Sequence, residues 1–254
     1  MAISLFLIGI VTGILSGLLG IGGGLLMVPA LTLFGVSLVE ATATSLVAVF
    51  LSAASGSLQN LRMGDLDKSA ALLLAGFGIL TAQVGAWLGD RLPERTLALG
   101  FAGLLLVTIY MMALKQRLQR RESALPPVQA APQQSLLPHT AGIGILAGLL
   151  SGLFGVGGGV VMVPLQMLLL AQPIKIAVRT SLGAIVVIAI SGIVQHSLNN
   201  NVLWVPGLCL GMGGIVGAQL GTRLLPKLPD PIVGRMFQAL LLGLAVYMLI
   251  SGLQ

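Results

Sequence analysis

The chain reads GILSGLLGIGGGLLMVP from Gly13 to Pro29 and GLLSGLFGVGGGVVMVP from Gly148 to Pro164. Shifted by 135 positions, the two stretches agree at 12 of 17 places. Gly22, Gly23 and Gly24 match Gly157, Gly158 and Gly159, and Met27, Val28 and Pro29 match Met162, Val163 and Pro164. Each triple glycine sits in the middle of a long apolar run. Adjacent glycines suit a helix poorly, because glycine has the most backbone entropy to lose. Glycines that serve helix packing recur every three or four residues, as Gly13, Gly17 and Gly20 do. The triplets therefore predict a break in a helix at membrane depth. Non-helical backbone is tolerated there only where protein or a watery cavity covers it.

The class of protein follows from composition. Of 254 residues, 56% are hydrophobic and only 8% charged, where a soluble domain carries about 25% charged residues. The mean hydropathy is +1.04. Apolar runs of the roughly 20 residues needed to cross a bilayer recur along the chain. This predicts a multi-pass helical membrane protein, with the lipid bilayer as its surroundings. The net charge of +6 comes from basic residues in short loops, where it sets topology and does not point to nucleic acid. Cys209 is the single cysteine and has no partner for an internal disulfide. The opening MAISLFLIGI lacks a basic start and runs on past signal-peptide length, so no cleavable signal is expected.

Eight apolar segments can be drawn, at 3–34, 39–61, 69–89, 96–114, 139–171, 174–197, 201–222 and 232–253. Between the fourth and fifth lies KQRLQRRESALPPVQAAPQQSLLP, basic and then rich in Pro, Gln and Ala. It reads as a linker over 115–138 between an N-terminal repeat, 1–114, and a C-terminal repeat, 139–254. Past the glycine motif the offset becomes 136. Thr44 and Ser45 then match Thr180 and Ser181, Gln59 matches Gln195, and Gln83 matches Gln219.

Charge fixes the expected topology. If every segment crosses once, the Lys and Arg residues divide six to seven between the two sides. If the first and fifth segments enter and return on one side, the division becomes eleven to two, as the positive-inside rule requires. The expected fold is an all-α polytopic membrane protein of two inverted repeats, each a broken-helix hairpin plus three transmembrane helices. Both termini lie outside and the linker is cytoplasmic. Inverted repeats are a recurrent transporter architecture, with the site where the repeats meet.

Catalytic, metal and cofactor motifs are not found, so no enzyme, metal or cofactor is expected. Glu40 reads as a solvated helix start, His139 and His196 as structural or interfacial, and Trp87 and Trp204 as interface anchors. The triple glycines offer more. Unwinding frees backbone N–H groups, and the half-helix that follows presents its positive end, which together favour an anion. The matched hydroxyls and amides of Thr44, Ser45, Gln59, Gln83, Thr180, Ser181, Gln195 and Gln219 can donate to oxyanion oxygens without a permanently buried charge. They serve equally well as hydrogen bonds between helices. Arg179, just before Thr180, would draw an anion inward or act as a topology charge.

At these residues the chain resembles the TauE/SafE sulfite exporter family of bacterial membrane proteins. The likeness lies in the pattern G-x-x-S-G-x-x-G-x-G-G-G-x-x-x-V-P at Gly13–Pro29 and Gly148–Pro164, in the Thr-Ser pairs, and in the basic central loop. It covers essentially the whole chain. It is specific for the family and not for a substrate. The resemblance implies movement of sulfite, sulfoacetate or another organosulfonate, usually outward. The residues themselves imply a small anionic substrate, leave a carrier and a passive anion channel both open, and allow a homodimer.

Overall fold

The computed structural model describes residues 2–64, 66–122 and 136–253. Ten α-helices occur among them: α1 (Ala2–Leu19), α2 (Gly24–Leu33), α3 (Leu38–Arg62), α4 (Lys68–Gly89), α5 (Glu94–Glu122), α6 (Leu136–Phe154), α7 (Gly159–Leu169), α8 (Ile174–Leu198), α9 (Trp204–Leu224) and α10 (Asp230–Leu253). No strand is present among the described residues. All but α2 and α7 are long and apolar enough to cross a membrane, which makes eight candidate spans among the described residues. The protein is an all-α, multi-pass membrane protein. Leu7, Val11, Leu72, Leu80 and Val205 are exposed on the outside of the bundle, where hydrocarbon, not water, is their solvent.

Each long glycine segment is two helices, as its sequence predicts. The break starts earlier than the triplet, however. It runs from Gly20 to Gly23 and from Gly155 to Gly158, while Gly24 and Gly159 open the return helices. Gly20, Gly22 and Gly23 have φ of 70°, 77° and 87°, and Gly155, Gly157 and Gly158 have 68°, 77° and 74°. A Cβ is strained at such angles. Gly20, expected as a packing residue of α1, is instead the first residue of the turn.

α5 also continues to Glu122, beyond the start of the expected linker at 115, and α6 opens at Leu136. The part of the linker between them, 123–135, lies outside the described residues.

Glycine seams give the helix directions. A methyl group added at Gly9, Gly13 or Gly17 would strike Leu210, Gly214 or Ala218 in turn, so α1 and α9 run parallel in backbone contact. Gly144, Gly148 and Gly152 meet Leu74, Gly78 and Ala82 in the same way, so α6 and α4 are also parallel. Small residues every fourth position permit this approach. α3 lies parallel to α9 as well, with Gly207 beside Thr44, Gly211 beside Ala48 and Gly214 beside Ser52. By contrast α3 and α8, matched in the repeat, cross antiparallel: Gly192 meets Leu46 and Gly56 meets Leu182.

These directions fold each broken segment back on itself. α1 and α3 point the same way, so α2 must return from the far end of one to the near end of the other. Gly23 accordingly lies beside Thr12 and Ser16 of α1. The arms are unequal: 18 residues in α1 and 10 in α2, or about 27 and 15 Å at 1.5 Å per residue. Helix starts are built from the local sequence. Ser37 and Glu40 form a capping box on α3, the serine hydroxyl accepting from the Glu40 amide at 3.3 Å and donating to its carboxylate at 2.8 Å. Asp67 caps α4 through the Ala70 amide at 3.0 Å.

Candidate functional site

The two breaks meet at the centre of the bundle. A methyl group on Gly24 would lie 2.2 Å from the Gly155 carbonyl oxygen, and one on Gly159 would lie 2.1 Å from that of Gly20. Each return helix thus begins against the turn of the other half. Its cap is a left-handed glycine, Gly23 or Gly158, which supplies no side chain to the first amides. Such helix starts carry positive potential and free donors. Pro29 and Pro164 lie within the return helices. Each lacks the amide that would pair with the carbonyl four residues back, at Leu25 and Val160.

Val49 and Ile185 stand between the breaks. Their side chains approach both Gly22 and Gly157 within about a van der Waals distance of an added Cβ. They are matched residues at the middle of α3 and α8, and both are fully buried. The centre is therefore closed by two branched apolar side chains packed on bare backbone.

Polar groups ring this contact. The Ser45 hydroxyl lies 2.9 Å from the Gly155 carbonyl and 2.7 Å from that of Thr42. Ser52 donates to the Gly22 carbonyl at 2.9 Å. Ser181, the match of Ser45, accepts from the amide of Gln166 at 2.8 Å. The Gln166 amide also lies 3.2 Å from the Met162 carbonyl, within its own helix. Ser16 and Ser151, matched serines in the last turn before each break, are buried with hydroxyls that find no partner. Away from this ring, in the last turn of α3, Asn60 is fully buried with both amide atoms unpartnered. Unpaired buried polar atoms are rare in proteins and invite a ligand or water as explanation.

The predicted residues divide accordingly. Gly22, Gly23, Gly24, Gly157, Gly158, Gly159 and Ser45 come together at the centre, while Ser181 is held by Gln166 of α7. Thr44 is buried but engaged elsewhere, its hydroxyl accepting from the Leu203 amide at 3.0 Å at the start of α9. Thr180 is buried with its hydroxyl unpartnered, and Arg179 beside it is also buried. Gln59, Gln195 and Gln219 are half-buried, and Gln83 is exposed on the outside of α4. Reading the sequence missed Gln166 and Ser52 because their matches, Leu31 and Ile188, are apolar. It missed Ser16 and Ser151 although they stand inside the doubled motif.

A narrow cleft adjoins the second break, lined by Val28, Leu38, Thr42, Phe101, Phe154 and Met248 among others. Thr42 is its single polar lining residue, and the Phe101 and Phe154 rings stack at 5.2 Å beside it. So apolar a cleft offers an anion little.

The family model described as "Sulfite exporter TauE/SafE" matches residues 5–248. The chain belongs to this family. Among its relatives is the probable membrane transporter protein YunE of Bacillus subtilis (strain 168), 26% identical over 98% of this chain and 97% of its own length. A probable membrane transporter protein of Xylella fastidiosa (strain Temecula1) is 30% identical, covering 95% of this chain and 92% of its own. The probable membrane transporter protein MJ0441 of Methanocaldococcus jannaschii is 26% identical over 97% of this chain and 94% of its own length. No solved structure matches the chain. This TauE/SafE protein is thus a membrane transporter by family, with two glycine breaks back to back at its core.

Proposed function

We propose that this protein is a secondary transporter for a small sulfur-containing anion, sulfite or an organosulfonate such as sulfoacetate, exported across the inner membrane. The observation that carries the reading is the meeting of the two breaks. Two uncapped helix starts converge there with serine hydroxyls. A small oxyanion matches that chemistry, since main-chain amides and hydroxyls donate to its oxygens. The family's printed description supports the sulfur anion and the outward direction.

The antiparallel crossing of the matched helices α3 and α8, and the exchanged pairings of α1 with α9 and α6 with α4, support two inverted repeats about the Val49–Ile185 contact. The substrate then binds where the repeats meet, reached in turn from either side. The packed centre favours a carrier over a passive channel, because no ion passes Val49 and Ile185 unless the halves move. In this topology both termini lie outside. The ends of α3, α5 and α9 lie in the cytoplasm, with the basic linker.

Purified protein in proteoliposomes tests the reading. Labelled sulfite or sulfoacetate should enter saturably, and faster when the same anion is loaded inside. Flux that rises without saturation and ignores internal anion would mean a channel. Equal exclusion of sulfite, sulfoacetate, thiosulfate, sulfate and taurine would sink the sulfur-anion assignment.

A further inference from the structure

The central site leaves one polar cluster unused. His196, in the last turn of α8, is 1% exposed. Its Nδ1 lies 3.3 Å from Asp90 Oδ1, and its Nε2 lies 3.2 Å from the carbonyl oxygen of Gly152. Asn201 donates to Asp90 Oδ1 at 2.9 Å, and Asn199 donates to Oδ2. The cluster ties α8 and the turn after it to the end of α4 and to α6.

Both ring nitrogens face oxygen acceptors. A neutral imidazole has one N–H and serves one of them, leaving a lone pair against the other. An imidazolium meets Gly152 through a hydrogen bond and Asp90 as an ion pair at 3.3 Å. Asp90 is the C-cap of α4, where unpaired carbonyls make a lone carboxylate unfavourable and a cation welcome. Gly152 stands in the last turn of α6. That helix ends at Phe154, before a backbone amide reaches the Gly152 carbonyl. Two parallel helices thus point their negative ends at one histidine.

The other charged groups on the packed elements are turned elsewhere. Arg91, next to Asp90, stacks on Trp87 with its guanidinium 3.8 Å from the ring centre. At the same end, Glu94 accepts from the Leu38 amide at 3.0 Å, and Glu40 is held in its capping box. Arg62, Lys68, His139, Asp230 and Arg235 belong to the opposite end of the bundle, at the end of α3 or the starts of α4, α6 and α10.

We propose that His196 and Asp90 form a binding site for one proton, and that this proton is the coupling ion of the transport cycle. The proposal rests on the transporter reading above. Binding converts neutral His196 beside ionised Asp90 into an imidazolium–carboxylate pair, and release reverses it. Without the proton, one of the two contacts becomes lone pair against oxygen, and α8 lets go of either Asp90 or Gly152. Gly152 lies three residues before Gly155, the first residue of the second break. The proton therefore acts on the turn that meets the first half at the centre.

The repeat supplies the substitution for a test. Asn60 is the residue matched to His196. His196→Asn keeps an amide donor for Gly152 and removes titration. The chain has two histidines, so protein labelled with ¹⁵N-histidine in lipid nanodiscs gives two assignable imidazole spectra, His196 being the one that His196→Asn deletes. His196 should pass between one and two N–H groups in a single step as pH is varied, and Asp90→Asn should make the doubly protonated form harder to reach. In proteoliposomes, an imposed pH gradient should speed anion flux by the unaltered protein. His196→Asn should move anion down its own gradient and lose that stimulation. A single neutral tautomer from pH 5 to pH 8, or full stimulation in His196→Asn, overturns the proposal. If no variant moves any anion, the transporter reading fails, while the imidazole spectra still decide whether the proton site exists.

Discussion

At the first glycine break Gly20 lies against the main chain of Val178, and at the second Gly155 lies against the main chain of Thr42. Val178 and Thr42 are matched positions, so the backbone is repeated almost contact for contact. The side chains are not. Ser45 reaches the Gly155 carbonyl, whereas its match Ser181 is held by Gln166, which stands where the first half has Leu31. Closing the centre is main-chain work, imposed equally on both halves by glycine, and what distinguishes the halves is a few unmatched polar residues, Gln166 and Ser52 among them.

The strongest way to break the comparison is to add one methyl group to the shared backbone contact. Gly24→Ala and Gly159→Ala each drive a Cβ into a carbonyl oxygen of the opposite break, at 2.2 and 2.1 Å. Neither neighbour is a flexible side chain, so the turns must part. Overpacking of this kind costs about 1–3 kcal/mol or more. Both variants should melt well below the unaltered protein and lose transport to a similar degree. Gly76→Ala and Gly142→Ala, with open space around the new methyl, serve as controls and should raise helix stability slightly. A large effect at one break and none at the other would end the idea of a shared main-chain closure.

A smaller effect should sharpen the asymmetry. Gln166→Leu makes the second half resemble the first and removes the donor that holds Ser181. Loss of a hydrogen bond around a charged ligand is worth about 1.5–3 kcal/mol, roughly ten- to a hundredfold in affinity. Anion affinity should fall by that order, with a smaller change in melting temperature than in the glycine variants. Ser45→Ala should act through the other half, leaving the Gly155 carbonyl without its hydroxyl. If both variants bind sulfite as tightly as the parent and only melt lower, these groups are interhelical glue.

Much of this was legible because the bilayer punishes loose backbone. Three adjacent glycines in an apolar run leave few outcomes besides a covered break, and the eleven-to-two charge division matches the fold-back seen in both halves. The position of the turn was less legible. Gly20 keeps helical spacing with Gly13 and Gly17, so nothing in the sequence separates its left-handed φ from their packing role. The site was read by matching polar residues between halves. That rule picks Ser45, which meets a break, and equally Gln83, which is exposed on α4, so a match between halves does not by itself place a residue at the centre. It passed over Gln166 and Ser52, because asymmetry is invisible to a search for symmetry. The contact of Asp90 with His196 joins two turns from different halves, and no local pattern announces it.

The smallest effect is expected at Gln83, and it tests whether the centre is the site at all. Gln83 is exposed on α4 while its match Gln219 is half-buried on α9. An exposed side chain away from special features changes stability by no more than about 0.5 kcal/mol, roughly twofold in an equilibrium. Gln83→Leu should therefore leave both the sulfite dissociation constant and the melting temperature within about that range. Gln219→Leu, with more neighbours to disturb, should cost somewhat more stability and still spare affinity. Binding measured on the single chain in nanodiscs and again at high protein density separates two ways this can fail. Loss of affinity in both conditions would move the anion site out to the α4 surface. A change seen only at high density would mean that α4 meets a second copy, with the glutamine amide as part of that contact and the central breaks still holding the anion.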